Sequence, residues 1–197
     1  MHTYFSFKKE LFILIILLLT LTSATVMAQE HEEESEKGGH KFTIAIGHAH
    51  IHEGIENGEK KWLMMPSWAI NYDYLISNHW ALGIHNDIIL EDFSVEKREE
   101  DKEVMTLERE KPIASKLVAT FKPGKHLSIM LGLGDEFTKS ENLFLSTAAV
   151  EYGWHISKGW EVGAELGYDL KWNAYDTWIL GFGISKTLHG KTHKKHS

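Results

Sequence analysis

Between Trp160 and Trp172 the chain alternates without a slip. Trp160, Val162, Ala164, Leu166, Tyr168, Leu170 and Trp172 take one parity, and Glu161, Gly163, Glu165, Gly167, Asp169 and Lys171 take the other. Period two is the repeat of a strand with one apolar and one polar face. After a polar break at Asn173 to Asp176 the pattern returns, with Trp178, Leu180, Phe182, Ile184 and Leu188 set against Thr177, Gly181, Gly183 and Ser185. A soluble antiparallel sheet buries its apolar face and wets the polar one. Here the polar face is glycine with carboxylates, and the apolar face carries aromatics at its ends. That combination suits a barrel turned inside out, with lipid outside, a narrow polar lumen and aromatic girdles at both interfaces.

The first residues set the compartment. Lys8 and Lys9 precede an unbroken apolar run, Leu11 to Leu19, and the stretch ends Val26-Met27-Ala28. Charge, core length and the small final residue predict a secretory signal peptide over residues 1–28. By length alone the run from Leu11 to Ala28 could almost span a bilayer as a retained anchor. Ser23, Thr25 and the acidic stretch after Ala28 fit a processing site better. The rest is the size of one domain, with no second apolar stretch long enough for a membrane helix. Cysteine is absent, which removes disulfides and thiol chemistry. A net charge of −7 with scattered lysines argues against a nucleic-acid partner, which calls for a basic face.

Taken in order, residues 29–40 are charged and without period, and read as a disordered acidic leader. A first strand is expected over Lys41 to Ile51, with Thr43, Ala45, Gly47 and Ala49 inward, followed by a polar loop from Glu53 to Lys60. A second runs from Trp62 to Leu75, where Pro66 cannot donate to a ladder and predicts a bulge. Ser77-Asn78 turns into a third strand, Trp80 to Leu90, with His85 and Asp87 inward. Two readings are open for 91–111: a solvated helix by its i,i+4 charge pairs, or a hairpin that extends strands three and four beyond the membrane. The hairpin is expected, because only it accounts for Val104, Met105 and Leu107. Strand four, Ile113 to Phe121, puts Lys116 and Thr120 inward, and Lys122-Pro123-Gly124-Lys125 is a tight turn by its chemistry. Strands five (His126 to Phe137) and six (Leu143 to Ile156) precede the final hairpin, and residues 189–197 form a basic, histidine-bearing tail.

The count is eight strands over 41–188, an even number, as a closed antiparallel barrel with both termini on one side requires. Short connections follow strands two, four and six and longer ones follow one, three, five and seven, which assigns the short turns and both termini to the periplasm. On this pattern the chain resembles the small eight-stranded outer-membrane β-barrels of Gram-negative bacteria, the OmpA/OmpX-like group. The resemblance covers about Lys41 to Leu188, and its nearest thing to a motif is the last strand, Trp178 to Leu188. It implies an all-β up-and-down transmembrane barrel in the bacterial outer membrane, monomeric, in contact with outer-membrane lipid and delivered by the barrel-assembly machinery. The group usually ends on an aromatic residue, whereas this strand ends at Leu188 and continues into a tail.

Three constellations carry candidate chemistry. His48, His50 and His52 lie two apart on one strand, so the imidazoles share a face on which Zn²⁺ or Cu²⁺ could be held, the only cofactor the sequence suggests. The plainer reading is solvated histidine at a loop base. His126 with Ser128 resembles the His-x-Ser of barrel enzymes that deacylate lipid A, but it falls beside a periplasmic turn, on the wrong leaflet for that substrate. Counting residues from each turn places His85, Asp87, Lys116, Glu151 and Glu165 in one middle layer of the lumen, with Lys116 its sole lysine. Buried charges need partners, so a charged plug is expected there. The sequence thus points to a non-enzymatic envelope protein that presents loops outward, with a metal-binding surface protein and a lipid A-modifying enzyme as alternatives.

Overall fold

The computed structural model describes residues 37–97 and 105–189, so the expected signal peptide, most of the leader, Val104 and the tail beyond His189 lie outside the described residues. The described residues form ten strands: β1 (His40–Glu56), β2 (Glu59–Leu75), β3 (Trp80–Ile89), β4 (Phe93–Lys97), β5 (Met105–Arg109), β6 (Ile113–Phe121), β7 (Leu127–Phe137), β8 (Leu143–Ser157), β9 (Trp160–Lys171) and β10 (Asp176–Leu188). Eight of them, β1 to β3 and β6 to β10, run antiparallel to their neighbours, and β10 closes on β1 with Thr43 opposite Ser185. The wall is therefore a closed eight-stranded barrel.

A walk around the wall shows its stagger. From Lys41 the paired residues are Asp73, Gly83, Val118, Gly132, Thr147, Asp169 and Thr177, and Thr177 pairs back onto β1 at Ile51, ten residues further along. The strands are thus strongly tilted, and each step to the next strand climbs by about one and a quarter residues.

Parity holds on every strand. Ile44, Ile46, Leu117, Leu131, Leu166 and Phe182 face outward, Leu131 at 62% exposure and Phe182 at 60%, while Thr43, Asn71, His85, Lys116, Ser128, Thr147 and Asp169 are buried inside. Tight turns hold the hairpins. Asn57-Gly58 and Lys158-Gly159 both have positive φ at their two residues, as a two-residue turn matching the strand twist demands.

Three expectations are corrected. The polar loop from Glu53 to Lys60 is strand: β1 and β2 run past the barrel wall to the Asn57-Gly58 turn. The bulge is not at Pro66 but on β1, between Ile51 and Gly54. Pro66 stays in register opposite His48, and its ring faces the point where β3 leaves the sheet, so no ladder donor is lost. Just beyond the last β2–β3 pair, Ser67 with Ile89, the Leu90 N–H donates to the Pro66 carbonyl at 3.0 Å.

The third concerns 91–111. A hairpin is present, with Phe93 opposite Arg109, but it does not prolong β3 and β6. It swings over the mouth, and β4 pairs with β1 through Gly54–Val95 and Ile55–Ser94. Beneath it lies the apolar core of the molecule: Ala49, Ile51, Ile89, Phe93, Val95, Leu143, Ala174, Tyr175 and Ile179, with Leu63, Met65 and Leu107 against it. Long-range pairing decides this course, because Val95 and Phe93 gain an apolar partner surface only across the mouth.

Candidate functional site in the barrel lumen

The lumen is occupied by cations interleaved with carboxylates. At the end where the chain enters and leaves, Lys41 of β1 donates to Glu151 of β8 (3.1 Å) and Glu161 of β9 (2.7 Å), and His155 reaches Glu161 at 3.2 Å. On the neighbouring wall His85 Nε2 donates to Asp73 Oδ1 at 3.0 Å. One layer up, Lys116 of β6 holds Asp87 of β3 and Asp169 of β9, the latter at 3.2 Å. Lys171 lies above, donating to Thr177 Oγ1 at 2.7 Å, with Glu136 at 3.6 Å and Asp169 at 3.9 Å.

The top tier is the driest. Arg109, at the end of β5, reaches down from the hairpin: its Nε donates to Glu136 at 2.9 Å, its Nη2 to the same carboxylate, and its Nη1 to the Glu141 carbonyl at 2.6 Å. Tyr175 O–H lies 2.6 and 2.8 Å from the two Glu136 oxygens, and the Lys171 ammonium sits 4.9 Å from the centre of the Tyr175 ring. Burial and then the Glu136 charge push the Tyr175 hydroxyl well above the usual tyrosine range, so it stays a donor. Desolvating so many charges is unfavourable unless each finds a partner, and Lys41, Lys116 and Lys171 each have two carboxylates in reach.

The glycine–carboxylate face now has a steric reason. A Cβ on Gly153 would lie 2.6 Å from the Glu161 carboxyl carbon, and one on Gly83 would lie 2.3 Å from an Asp73 oxygen. Carboxylates fold over the glycines of adjacent strands, so the alternation read from Glu161 to Lys171 is a packing code. Two small cavities of about 10 Å³ each, room for about one water apiece, lie among these side chains. One touches Lys41, Asp73, His85 and Thr120, the other Glu151, Glu165 and Ser185.

Of the five residues expected in one layer, Lys116 and Asp87 pair directly, His85 stands opposite Lys116 on the adjacent strand, and Glu165 stands opposite Glu151 with Asp87, Lys116 and His85 within electrostatic reach. Glu151 belongs with Lys41, His85 with Asp73, and Glu165 makes no ion pair among the described residues. The stagger of the wall decides which of these neighbours pair, and it brings Lys41 to Glu151 and Asp73 to His85. Lys116 is flanked in the lumen by two further buried lysines, Lys41 below it and Lys171 above. Asp169 and Lys171 were legible by parity as inward residues, whereas Arg109 was not, since its burial depends on where the hairpin folds.

The histidine expectations fare differently. His48, His50 and His52 sit at alternate positions of β1, outside the lumen, with His52 edge-on to Trp62 at 4.9 Å and 3.2 Å from Glu53. Among the described residues no group of three His, Cys, Asp or Glu is placed to hold a metal ion. The His126 and Ser128 pair does not assemble as a nucleophile and base. His126 Nδ1 donates to the Gly153 carbonyl at 2.8 Å and stacks on Tyr152, while Ser128 is buried in the lumen.

No family model matches the chain, and no curated protein sequence matches it. Solved structures do. The outer membrane protein OprG from Pseudomonas aeruginosa superposes with a TM-score of 0.50 at 10% identity, covering 78% of this chain and 98% of that one. Neisserial surface protein A, NspA, gives 0.46 at 11% identity over 78% and 99%, and Ail, the attachment invasion locus protein of Yersinia pestis, 0.45 at 15% over 76% and 99%. At such identities the likeness is one of fold. The chain has the fold of the small eight-stranded outer-membrane β-barrels, which the alternation of its strands had indicated.

Proposed function

We propose that this chain is a non-enzymatic protein of the bacterial outer membrane, a closed scaffold that holds its hairpin end outward and conducts nothing through its centre. The observation that carries the reading is the inversion of the barrel: ion pairs fill the inside, and large apolar side chains cover the outside. So broad an apolar surface is unstable in water and fits a bilayer. Aromatic side chains sharpen the fit. Trp80, Tyr152, Trp154 and Trp160 ring the termini end, and Trp62, Trp172 and Trp178 lie toward the other, where indole and phenol sit at headgroup level. The orientation follows from strand overhang: β1, β2 and the β4–β5 hairpin extend past the wall at one end only, the end that outer-membrane barrels turn outward. Outer-membrane lipid and the barrel-assembly machinery are its partners in this reading, and the barrel acts as a monomer.

The lipid face is a surface for insertion and the hairpin end a surface for display. Two measurements test this. Cysteine placed at Glu96 should react with a membrane-impermeant maleimide on intact cells, and cysteine at Gly124 only after the membrane is opened; the reverse would overturn the orientation. Refolded protein in planar bilayers should show no steps of current above the bare membrane, and a steady conductance would refute the closed lumen.

A further inference from the structure

The outward row of β1 changes character toward the hairpin end. Phe42, Ile44 and Ile46 are followed at the same parity by His48 and His50, and then by His52 where the bulge begins. The neighbouring strands do not change with it. Opposite His48 stand Leu180 of β10 and Pro66 of β2, and opposite His50 stand Trp178 and Met64. Three imidazoles thus replace apolar side chains where both neighbouring strands keep them. Among the described residues neither His48 nor His50 makes a hydrogen bond or an ion pair.

Met64 supplies what the imidazoles lack. The three rings by themselves make no group placed for a metal ion, but the Cβ atoms of directly paired residues on adjacent strands lie about 5 Å apart, which puts the Met64 thioether beside His50. Met64 is 62% exposed, so its sulfur is free to turn. His52 joins the same face: its ring lies edge-on to Trp62 at 4.9 Å, and Trp62 is two residues from Met64 on β2. Its tautomer is fixed as well. His52 Nδ1 lies 3.2 Å from Glu53, a carboxylate at 2% exposure that also accepts from the Asp176 N–H at 3.4 Å. A carboxylate only accepts, so in the neutral ring Nδ1 carries the proton and Nε2 keeps its lone pair, the arrangement that orients metal-binding histidines.

We propose that His50, His52 and Met64 form a binding site for monovalent copper on the outer face of the barrel, at the hairpin end. Two imidazole nitrogens and one sulfur make a three-coordinate set that carries no charge before the ion arrives. Imidazole alone suits zinc and divalent copper equally, whereas a thioether selects the softer ion, and the Trp62 indole next to His52 offers a further cation–π contact. Lys60 and Lys61, the next residues of β2 toward its turn, are paired with Glu96 and Glu56 at 3.1 and 2.6 Å, so the ion does not meet bare ammonium charge. The site goes beyond the scaffold role, and it does not depend on the lumen being closed.

The test is anaerobic titration of the full chain, refolded in detergent micelles, with copper(I) presented by the competing chelator bicinchoninate. The parent should take copper(I) from the chelator, and its X-ray absorption spectrum should show a sulfur neighbour of the metal. Met64→Leu, a change of similar volume on an exposed face, should remove the sulfur signal and weaken binding by about a hundredfold, the upper end of what loss of an outer-shell partner costs. His50→Gln/His52→Gln should lose the ion to the chelator, while Met65→Leu, on the inward side of the same strand, should keep it. Glutamine at His2, His31, His189, His193 and His196 controls for the chain ends, and that variant should bind as the parent does. A parent that takes no copper(I), binding that survives Met64→Leu unchanged, or binding that disappears with the terminal histidines overturns the inference, and each leaves the barrel and its membrane reading in place.

Discussion

The two mouths of the barrel are closed by different physics. At the termini end the seal is ionic: Lys41 spans to Glu151 and Glu161, with side-chain exposures of 9%, 14% and 13%, so water reaches the pair. At the hairpin end an apolar core sits over a charged one, and Arg109 and Glu136 are 0% and 2% exposed. The first mouth resembles a wet salt bridge network, and the second resembles the interior of a soluble domain grafted onto a membrane barrel. An outer-membrane barrel thus need not rely on one kind of closure, and the dry end should dominate stability.

The sharpest way to break that comparison is to remove one cation from each mouth. Arg109→Met takes the nearest cation from the buried Glu136, leaving it only Tyr175 and the more distant Lys171, and should cost about 3–5 kcal/mol. Lys41→Met leaves its carboxylates beside solvent and should cost only about 1–3 kcal/mol. Urea unfolding in lipid vesicles measures both, and equal losses would mean the mouths are equally dry.

A smaller effect sharpens the role of the apolar cap. Phe93→Ala opens a cavity among Val95, Tyr175 and Ile179 and should destabilise by about 3 kcal/mol. Because the wall below is untouched, the variant should still insert and keep its strand content by circular dichroism. Loss of insertion would show that the hairpin is needed to build the barrel and not merely to cover it.

The smallest expected effect lies with Tyr175. Its pKa is raised in the folded chain, so its contribution is intact below the ordinary tyrosine value, about pH 10, and lost as pH climbs beyond it. Ultraviolet titration of the folded protein should find Tyr175 un-ionised while exposed tyrosines ionise, and Tyr175→Phe should flatten the alkaline fall in stability. If every tyrosine ionises together while the barrel stays folded, the cap is open to water.

Much of this architecture was legible because a strand repeats every two residues, and a run such as Trp160 to Trp172 states its two faces directly. Parity assigned Lys116, Asp87, Glu151 and Glu165 to the inside, where they are. It could not say which neighbours in the lumen would pair. Residues level with one another on adjacent strands differ by the stagger, a property of the closed wall and not of any one segment, so Glu151 stands opposite Glu165 as expected yet pairs with Lys41. Glu53 to Lys60 read as a loop because glycine and charge mark loops, although in an overhanging hairpin the same residues only need a tight turn. Arg109 was the hardest to foresee: a charged residue in a charged segment becomes the driest cation among the described residues because β4 pairs with β1.

That pairing also bears on how the barrel closes. A strand that slips by two residues keeps all its side chains on their proper faces, so parity alone does not fix the seam between β1 and β10. If β10 moved two residues toward the hairpin end, Asp176 would come opposite Gly54, an edge position that Val95 already occupies. The hairpin is a doorstop: it limits how far the final strand can travel, and so helps to select one closing register among those that the side chains would tolerate.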